Sequence, residues 1–391
     1  MTGFPEAPVN DRTSVVGDLV WRQEVFATPA PWIQLAAGVD GRLNTHDQVD
    51  VSWRMDLRNR TVLRPALGLR RLSATLTRGP WTVDLGKQFI RWGTADIVTP
   101  TDWFGPRDYL NVVDGEFLPV TGARAVGEFS GNRFEVAFLP WLTPSRAPLL
   151  DQRWTVLPAS IVVVDPLTGQ ATTVPLGSLN DTSPALTHKI QSGLRWGHTG
   201  SGYEFSLSFF DGNNTLPNVA VTPGLVPGHL DVARDYVLLR SYGADVAVPL
   251  RWFTVKGETA WFTSPSIDTD EYVIYVVQIE RQSGEWTLLG GYAGEAITAQ
   301  GVDLSFAPNR GLTHAVVARV SRTIDANRSA TFETAIRQNG AGAYLKGEYS
   351  QAQGAHWRAS VAGSWIGGDP EDFLGQYRKN SHIVASLRYS Y

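Results

Sequence analysis

Apolar and polar residues alternate along many short stretches of this chain. The clearest stretch is the last one, residues 381–391. Its apolar positions are Ile383, Ala385, Leu387, Tyr389 and Tyr391. Because successive side chains of a strand point to opposite faces, this pattern predicts a strand with one apolar and one polar face.

The stretches of this kind are joined by connections that alternate between short turns and long loops. The long connections are predicted at about 93–119, 143–186, 213–232, 263–270, 297–310 and 367–379. Outer-membrane barrels have short turns at one end and long loops at the other. The pattern therefore predicts an all-β fold, a transmembrane antiparallel up-and-down β-barrel. A large soluble sandwich or barrel is the alternative, because its strands also alternate.

The predicted number of strands depends on the N-terminal segment. Residues 32–391 contain about 16 predicted strands, and residues 14–27 add a seventeenth. Since single-chain bacterial barrels have an even number, this segment either lies in the lumen or has an undetected partner. Sixteen strands are favoured, and 18 are the alternative. Residues 1–30 are predicted as a leader or extra strand, and residues 31–391 as one barrel.

The composition narrows the class of protein. The 391 residues carry a net charge of −4 and no cysteine, so neither nucleic-acid binding nor disulfide or thiolate chemistry is expected. No run of eighteen apolar residues occurs, which excludes a helical membrane protein. The 14 Trp and 12 Tyr suit aromatic belts at membrane interfaces. A bacterial outer-membrane location is expected, with a signal peptide that has been removed, because the first residues do not resemble one.

If the apolar faces meet lipid, the opposite faces line the lumen. The residues predicted on the lining include Arg71, Asp84, Arg124, Glu128, Lys189 and Arg195. Mixed charge in a water-filled lumen favours a channel for polar or anionic solutes. The alternative is that these charges pair across strands and fill the barrel. A slip of the alternation at Arg70 and Arg71 also predicts a β-bulge.

The long connection at 93–119 is predicted to shape the pore. Its charged candidates for a constriction are Asp96, Asp102, Arg107 and Asp108. A long loop in a compact fold is usually functional when it is ordered. One interpretation is a constriction loop folded into the barrel. The other is an outer loop on the rim, in which Asp102 and Asp108 only form turns.

The same region resembles a known family. The motifs Gly86-Lys87-Gln88, Trp92-Gly93, Pro100-Thr101-Asp102 and Pro106-Arg107-Asp108-Tyr109 are similar to those of large bacterial outer-membrane barrels related to alginate-export channels. The hairpin at 275–289 is also similar. Gly105 stands where relatives usually have Asn. The resemblance implies an outer-membrane channel that exports a polysaccharide or takes up a solute.

No motif of an enzyme is present, and none of the seven histidines has metal-ligand spacing. His188 beside Ser192 is the nearest candidate for a barrel phospholipase and is interpreted as an interfacial histidine. We therefore expect no enzymatic activity and no cofactor. The expected partners are outer-membrane lipid, a polar or anionic solute or polysaccharide, and periplasmic export proteins. The alternative function is a filled scaffold barrel that docks envelope proteins through its loop at 143–186.

Overall fold

The computed structural model of the chain is an all-β antiparallel barrel. It describes residues 1–8, 11–46, 64–149, 152–156, 160–164, 171–175, 179–181, 189–223, 230–267, 269–301 and 307–391. In these residues the strands, in chain order, are β1 (Thr2–Gly3), β2 (Val15–Val16), β3 (Asp18–Ala30), β4 (Ile33–Asn44), β5 (Leu67–Arg78), β6 (Trp81–Gln88), β7 (Arg107–Asp108), β8 (Glu116–Phe117), β9 (Val120–Phe129), β10 (Asn132–Leu139), β11 (Ser160–Val164), β12 (Ala171–Pro175), β13 (Leu179–Asp181), β14 (Gln191–Gly200), β15 (Tyr203–Asn213), β16 (Asn218–Pro223), β17 (Leu230–Asp235), β18 (Leu238–Pro249), β19 (Thr254–Thr263), β20 (Glu271–Ser283), β21 (Trp286–Ala299), β22 (Ala315–Thr323), β23 (Arg328–Arg337), β24 (Gly342–Gln353), β25 (Trp357–Gly368) and β26 (His382–Tyr389). Short 3-10 helices lie at Pro308–Arg310 and Gly375–Asn380. No helix in this part of the chain is long and apolar enough to cross a membrane.

Nineteen strands form the sheet of the barrel wall. Most of them pair antiparallel with the wall strand before and the wall strand after them in the chain, which confirms the predicted up-and-down topology. The remaining strands, β7, β8, β11–β13, β16 and β17, form three small sheets in the long connections. The wall thus leaves the connecting segments free to enter or cover the lumen.

The N-terminal segment links the last strand of the wall to the first at one end of the barrel. In β1, Thr2 faces Val384 of β26 on one side and Val16 of β2 on the other. Strands β2 and β3 follow each other along one position of the wall, separated by Gly17. The nineteen strands therefore occupy eighteen positions. The favoured count of sixteen omitted the strand in residues 14–30 and its partner β1, and the alternative of 18 describes this wall.

Short and long connections lie at opposite ends of the barrel, as predicted. The long connections cover residues 45–66, 89–119, 140–190, 214–237, 264–270, 300–314 and 369–381. The turn at Asn339 and Gly340, between β23 and β24, is a short connection at the long-loop end. The described parts of the long connections therefore lie at one end of the barrel.

The outer face of the wall is apolar and exposed. Aromatic residues next to the short turns form one belt: Trp32, Trp81, Phe129, Tyr203, Trp252, Trp286, Trp357 and Tyr389. A second belt lies toward the long loops: Trp21, Phe138, Trp141, Tyr242, Trp261 and Trp365. On β25 the two belts are eight residues apart, which corresponds to about 27 Å along a strand or about 20 Å after tilting. This spacing is close to the height of the apolar band of an outer-membrane barrel, about 25 Å. The outer face of the wall therefore has the apolar band and the two aromatic belts of such a barrel.

A β-bulge turns two successive arginines into the lumen. The pairing of β4 with β5 shifts between Gly38 and Val39, which face Arg71 and Leu69. Arg70 is the extra residue, so the predicted bulge is confirmed. In a regular strand one of the two arginines would face lipid, at a cost of about 2–4 kcal/mol near the midplane.

Gly86 turns Lys87 away from the lipid. Regular alternation with Trp81 and Leu85 would place Lys87 on the outer face of β6. Gly86 instead has a φ of 106°, a conformation that favours glycine. Lys87 consequently lines a cavity of the lumen.

Gly86→Ala is expected to destabilise the barrel by at least about 2 kcal/mol, because a side chain is strained at this φ. The added Cβ would also lie 2.2 Å from the carbonyl oxygen of Leu72. The measurement is the temperature at which the detergent-solubilised barrel unfolds, read from heat-modified migration on gels. Gly347→Ala is the control, because a Cβ there meets nothing within 4 Å. Equal losses in both variants would contradict the argument.

Candidate functional site

The connection between β6 and β9, residues 89–119, folds into the barrel. Its buried apolar side chains are Ile90, Trp92, Ala95, Val98, Trp103 and Phe104. They form one core with inward-facing residues of the wall, which include Phe210, Leu239, Phe262, Tyr272, Ile274 and Val276. The rings of Trp103 and Phe262 lie 4.7 Å apart. This packing fills the side of the lumen formed by β15 and β18–β21, and we call residues 89–119 the inner loop.

Glu258 on β19 binds the inner loop through four hydrogen bonds. Its Oε2 accepts the N–H groups of Thr94 at 2.8 Å and Ala95 at 2.7 Å. Its Oε1 accepts the N–H group and the hydroxyl of Thr101, each at 2.8 Å. Glu258 is only 3% exposed. One wall carboxylate thus satisfies three backbone donors that burial would otherwise leave unpaired.

Asp96 also binds the wall. Its Oδ2 accepts hydrogen bonds from Lys256 Nζ at 2.8 Å and from Gln278 Nε2 at 2.5 Å. The carboxylate of Asp96 therefore holds the inner loop against β19 and β20.

Asp102 has the turn-forming role that one of the two sequence interpretations gave it. Its Oδ1 accepts the N–H groups of Trp92 at 2.5 Å and Gly93 at 2.7 Å. The side chain is 2% exposed. It stabilises the point at which the chain leaves β6 and turns inward.

Asp108 joins three of the long connections. It forms ion pairs with Arg64 at 2.7 Å and with Arg146 at 3.2 Å. Burial alone would raise the pKa of Asp108, but the charges of these two arginines outweigh it and lower the pKa. The charged Asp108 therefore attaches the end of the inner loop to the two connections that contain Arg64 and Arg146.

A cavity of about 400 Å³ lies between the tip of the inner loop and the wall formed by β3–β6. The cations that line it are Arg22, Arg42, Arg70, Lys87, Arg146 and Arg234. The acids that line it are Asp40, Asp108 and Glu116. Six cations against three acids give the lining an excess of three positive charges, and two further acids, Asp18 and Glu24, pair with Arg42 and Arg70. Such an excess in a concave, low-dielectric surface attracts anions.

Acids of neighbouring strands fix the arginines of this wall in place. Arg22 Nε donates to Asp40 at 2.9 Å, and Arg42 Nη2 lies 2.5 Å from Asp18. Lys87, by contrast, has no ion pair among the residues that the structure describes. The arginines are therefore already oriented toward the lumen before any solute arrives.

A second cavity, of about 240 Å³, adjoins the first. The two share Arg42, Asp108 and Glu116 in their linings. The N-terminal side of the second cavity is closed by a buried pair, in which Asp11 Oδ2 lies 2.7 Å from His46 Nε2. Burial raises the pKa of Asp11, but the hydrogen bond and the charge of His46 outweigh it and lower the pKa to about 2.

Acid is expected to weaken the barrel through this pair. Because the pKa of Asp11 falls from 3.8 to about 2 on folding, its contribution to stability is present above pH 4 and is lost as the pH falls toward 2. Asp11→Asn should therefore flatten the dependence of the unfolding temperature on pH between 5 and 2. Glu371→Gln, at an exposed loop position, is the control. If Asp11→Asn keeps the acid slope of the wild type, the pair does not titrate as stated.

Three other residues predicted for the pore pair with neighbours on the wall. Arg124 Nε lies 2.6 Å from Glu135, and Arg124 Nη1 lies 3.8 Å from Asp84. Arg195 Nη2 lies 3.1 Å from Asp245. On this side of the lumen the charged residues pair with one another across strands and do not form an open lining.

Lys189, Glu128 and Arg107 lie at different places. Lys189 donates to the carbonyl oxygen of Tyr236 at 2.6 Å at the long-loop end. Glu128, 2.5 Å from Arg133 and 60% exposed, lies near the short-turn rim. Arg107, in the inner loop, lies over the ring of Phe117 at 4.0 Å. Of the ten residues predicted for the site, only Asp108 lines the basic cavity.

The sequence analysis missed Arg22, Arg42 and Arg70. Arg22 lies on β3, which the favoured strand count left out of the wall. Arg42 follows the inward parity of β4, and this alternation was the signal that could have found it. Arg70 was not predicted to line the lumen, because regular alternation places only one of two adjacent arginines on the inner face.

Other sequence-based candidates contribute nothing to the basic cavity. His188 lies outside the described residues, and Trp154 of the suggested docking loop is only 4% exposed, packed 5.5 Å from Tyr377. In the parts of the chain that the structure describes, no group of three His, Asp or Glu residues could hold a metal ion.

No protein-family model and no curated protein matches this chain. Several solved structures are similar in overall shape. OpdK of Pseudomonas aeruginosa, solved with vanillate, is 9% identical, with a TM-score of 0.48 and coverage of 96% of this chain and 92% of that one. OccK9 (OpdG) of the same organism is 10% identical, with a TM-score of 0.49 and coverage of 100% and 95%. A BenF-like porin of Pseudomonas fluorescens Pf-5 is 9% identical, with a TM-score of 0.49 and coverage of 95% and 92%.

Proposed function

We propose that this barrel is a channel of the bacterial outer membrane that passes small anionic solutes. The observation that carries the proposal is the basic cavity of the lumen, about 400 Å³ in volume with three excess positive charges among its lining residues. Its arginines are held by neighbouring strands, so that their positive potential is preorganised. Passage through such a channel requires no chemistry, because pore width and lining charge supply the selectivity.

The inner loop supplies the constriction in this proposal. Its apolar side fills the lumen next to β15 and β18–β21. Its tip, with Asp108 and Glu116, faces the arginines of β3–β5 across the basic cavity. Solutes then pass between the tip and the basic wall, so that Arg22, Arg42 and Arg70 meet them at the narrowest place.

The size of the cavities favours a small solute. Volumes of about 240 and 400 Å³ are near the lower end of those of sites that hold one small molecule. Export of an acidic polysaccharide, with periplasmic partners, is the alternative cargo that the sequence resemblance to alginate-export channels implies. It would use the same basic wall.

A flux measurement in liposomes tests the proposal. Ethanesulfonate and ethyltrimethylammonium are small organic ions of opposite charge, and both keep their charge at every working pH. Liposomes that contain the purified barrel are expected to pass ethanesulfonate several times faster, with protein-free liposomes as the control. Equal rates, or a faster cation, would refute an anion channel.

A filled scaffold barrel is the second candidate function. It is favoured by the apolar core between the inner loop and one side of the wall. Liposomes that pass neither ion, although the barrel is folded, would support this function instead.

A further inference from the structure

Glu116 reaches from the tip of the inner loop to the arginines of the wall. Its Oε1 accepts hydrogen bonds from Arg22 Nη2 at 2.7 Å and from Arg70 Nη1 at 3.4 Å. Glu116 lines both cavities of the lumen. Its carboxylate therefore stands at the junction of the two cavities, bound to two of the cations that we propose attract the solute.

Glu116 is the most replaceable of the acids around this arginine pair. Its side chain is 53% exposed, against 30% for Asp40 and 27% for Glu24. Asp40 lies directly opposite Arg22 in the pairing of β3 with β4, so the wall itself holds it in place. Glu116 instead lies on the inner loop, outside the ladder of the wall. Since an exposed ion pair contributes only about 0–1 kcal/mol, a dissolved anion can exchange with its carboxylate.

The tip of the inner loop does not depend on this ion pair. The ring of Phe117, next to Glu116, lies under the guanidinium groups of Arg91 at 4.1 Å and Arg107 at 4.0 Å. The backbone of Glu116 pairs with Asp108 in the short ladder of β7 and β8. The side chain of Glu116 can consequently rotate away while its backbone stays in place.

We propose that Glu116 occupies an anion site between Arg22 and Arg70, and that a solute carboxylate passes by displacing it; this inference rests on the proposed anion channel. The ligand class is a small monocarboxylate, because the group that now fills the site is a carboxylate on an aliphatic stem. When the Glu116 side chain rotates away, Arg22 keeps its ion pair with Asp40 and Arg70 keeps its ion pair with Glu24. The position that the Glu116 carboxylate occupied between the two arginines is then open. The carboxylate of the solute then replaces the negative charge that Glu116 provided. Glu116 is thus a built-in competitor that sets the affinity of the site.

Propionate is the probe, because it reproduces the end of a glutamate side chain. In planar bilayers, propionate added to a chloride solution is expected to reduce the single-channel current. In E116Q the half-blocking concentration should be about threefold lower, since the competitor loses its charge and an exposed ion pair worth about 0.7 kcal/mol corresponds to that factor in binding. D114N is the matched control. Asp114 lies on the same loop, 2.7 Å from Lys346, and is 60% exposed.

The outcomes separate the two proposals. A half-blocking concentration that is unchanged or higher in both E116Q and E116A would overturn the displacement of Glu116. An equal gain in D114N would also overturn it, because the effect would then be one of general charge. R22Q added to E116Q should remove the gain. The anion channel itself fails by a different result, a wild-type barrel that passes both signs of ion equally.

Discussion

Glu258→Ala is expected to raise the single-channel conductance severalfold and to make it fluctuate. The substitution removes the acceptor of the N–H groups of Thr94, Ala95 and Thr101. Each buried donor left unpaired costs about 1–3 kcal/mol, so the inner loop should lose at least about 3 kcal/mol of its attachment to the wall. A loop released from the lumen no longer narrows it. Planar-bilayer recordings of the purified variant measure the change.

Two further variants make this test specific. Glu258→Gln keeps one carbonyl-type oxygen and should give an intermediate conductance. Glu333→Ala also removes a carboxylate of the wall. Among the described residues Glu333 pairs with Arg319 of the adjacent strand and makes no hydrogen bond to the inner loop. If Glu333→Ala opens the channel as much as Glu258→Ala, the inner loop is not the constriction.

Replacing Arg22, Arg42 and Arg70 together by glutamine is expected to abolish the preference for anions. The basic cavity would then hold three cations and three acids, so that its excess of positive charge disappears. The acids that these arginines pair with would also lose their partners and repel anions. The zero-current potential in a salt gradient should therefore shift to zero or to the sign of a cation-selective channel.

The control for this triple variant removes the same charge elsewhere in the barrel. Arg133, Arg319 and Arg328 form ion pairs outside the basic cavity. Their joint replacement by glutamine changes the net charge equally and should leave most of the anion preference in place. An equal loss in both triple variants would show that total charge, and not the basic wall, sets selectivity.

The wall of the barrel was predictable because lipid imposes a strict pattern on it. Every long strand must alternate to keep charge out of the bilayer, and residues 381–391 showed this alternation fully. The short β1 could not be found in this way, because a strand of two residues, Thr2–Gly3, has no pattern to read. Its partner in residues 14–27 was recognised as strand-like, but its place in the wall depended on β1.

The site was less predictable than the wall, because the path of a loop decides which charges meet. Asp96, Asp102 and Asp108 looked alike in the sequence. Asp96 binds the wall, Asp102 accepts backbone N–H groups, and only Asp108 reaches the basic cavity. Glu258 looked like one lining charge among many. Its role depends on the backbone N–H groups of Thr94 and its neighbours, which the folded inner loop brings to the Glu258 carboxylate. No local sequence pattern predicts this contact.

The most direct test of the account is the zero-current potential of the wild-type barrel in a tenfold gradient of potassium chloride. An ideal anion channel reaches about 59 mV in such a gradient, since a tenfold ratio corresponds to about 1.4 kcal/mol for one charge. We expect a potential of the sign set by chloride, corresponding to a severalfold higher permeability for chloride than for potassium. A potential of zero, or one of the sign set by potassium, would contradict the claim that the arginines of the wall make the lumen selective for anions.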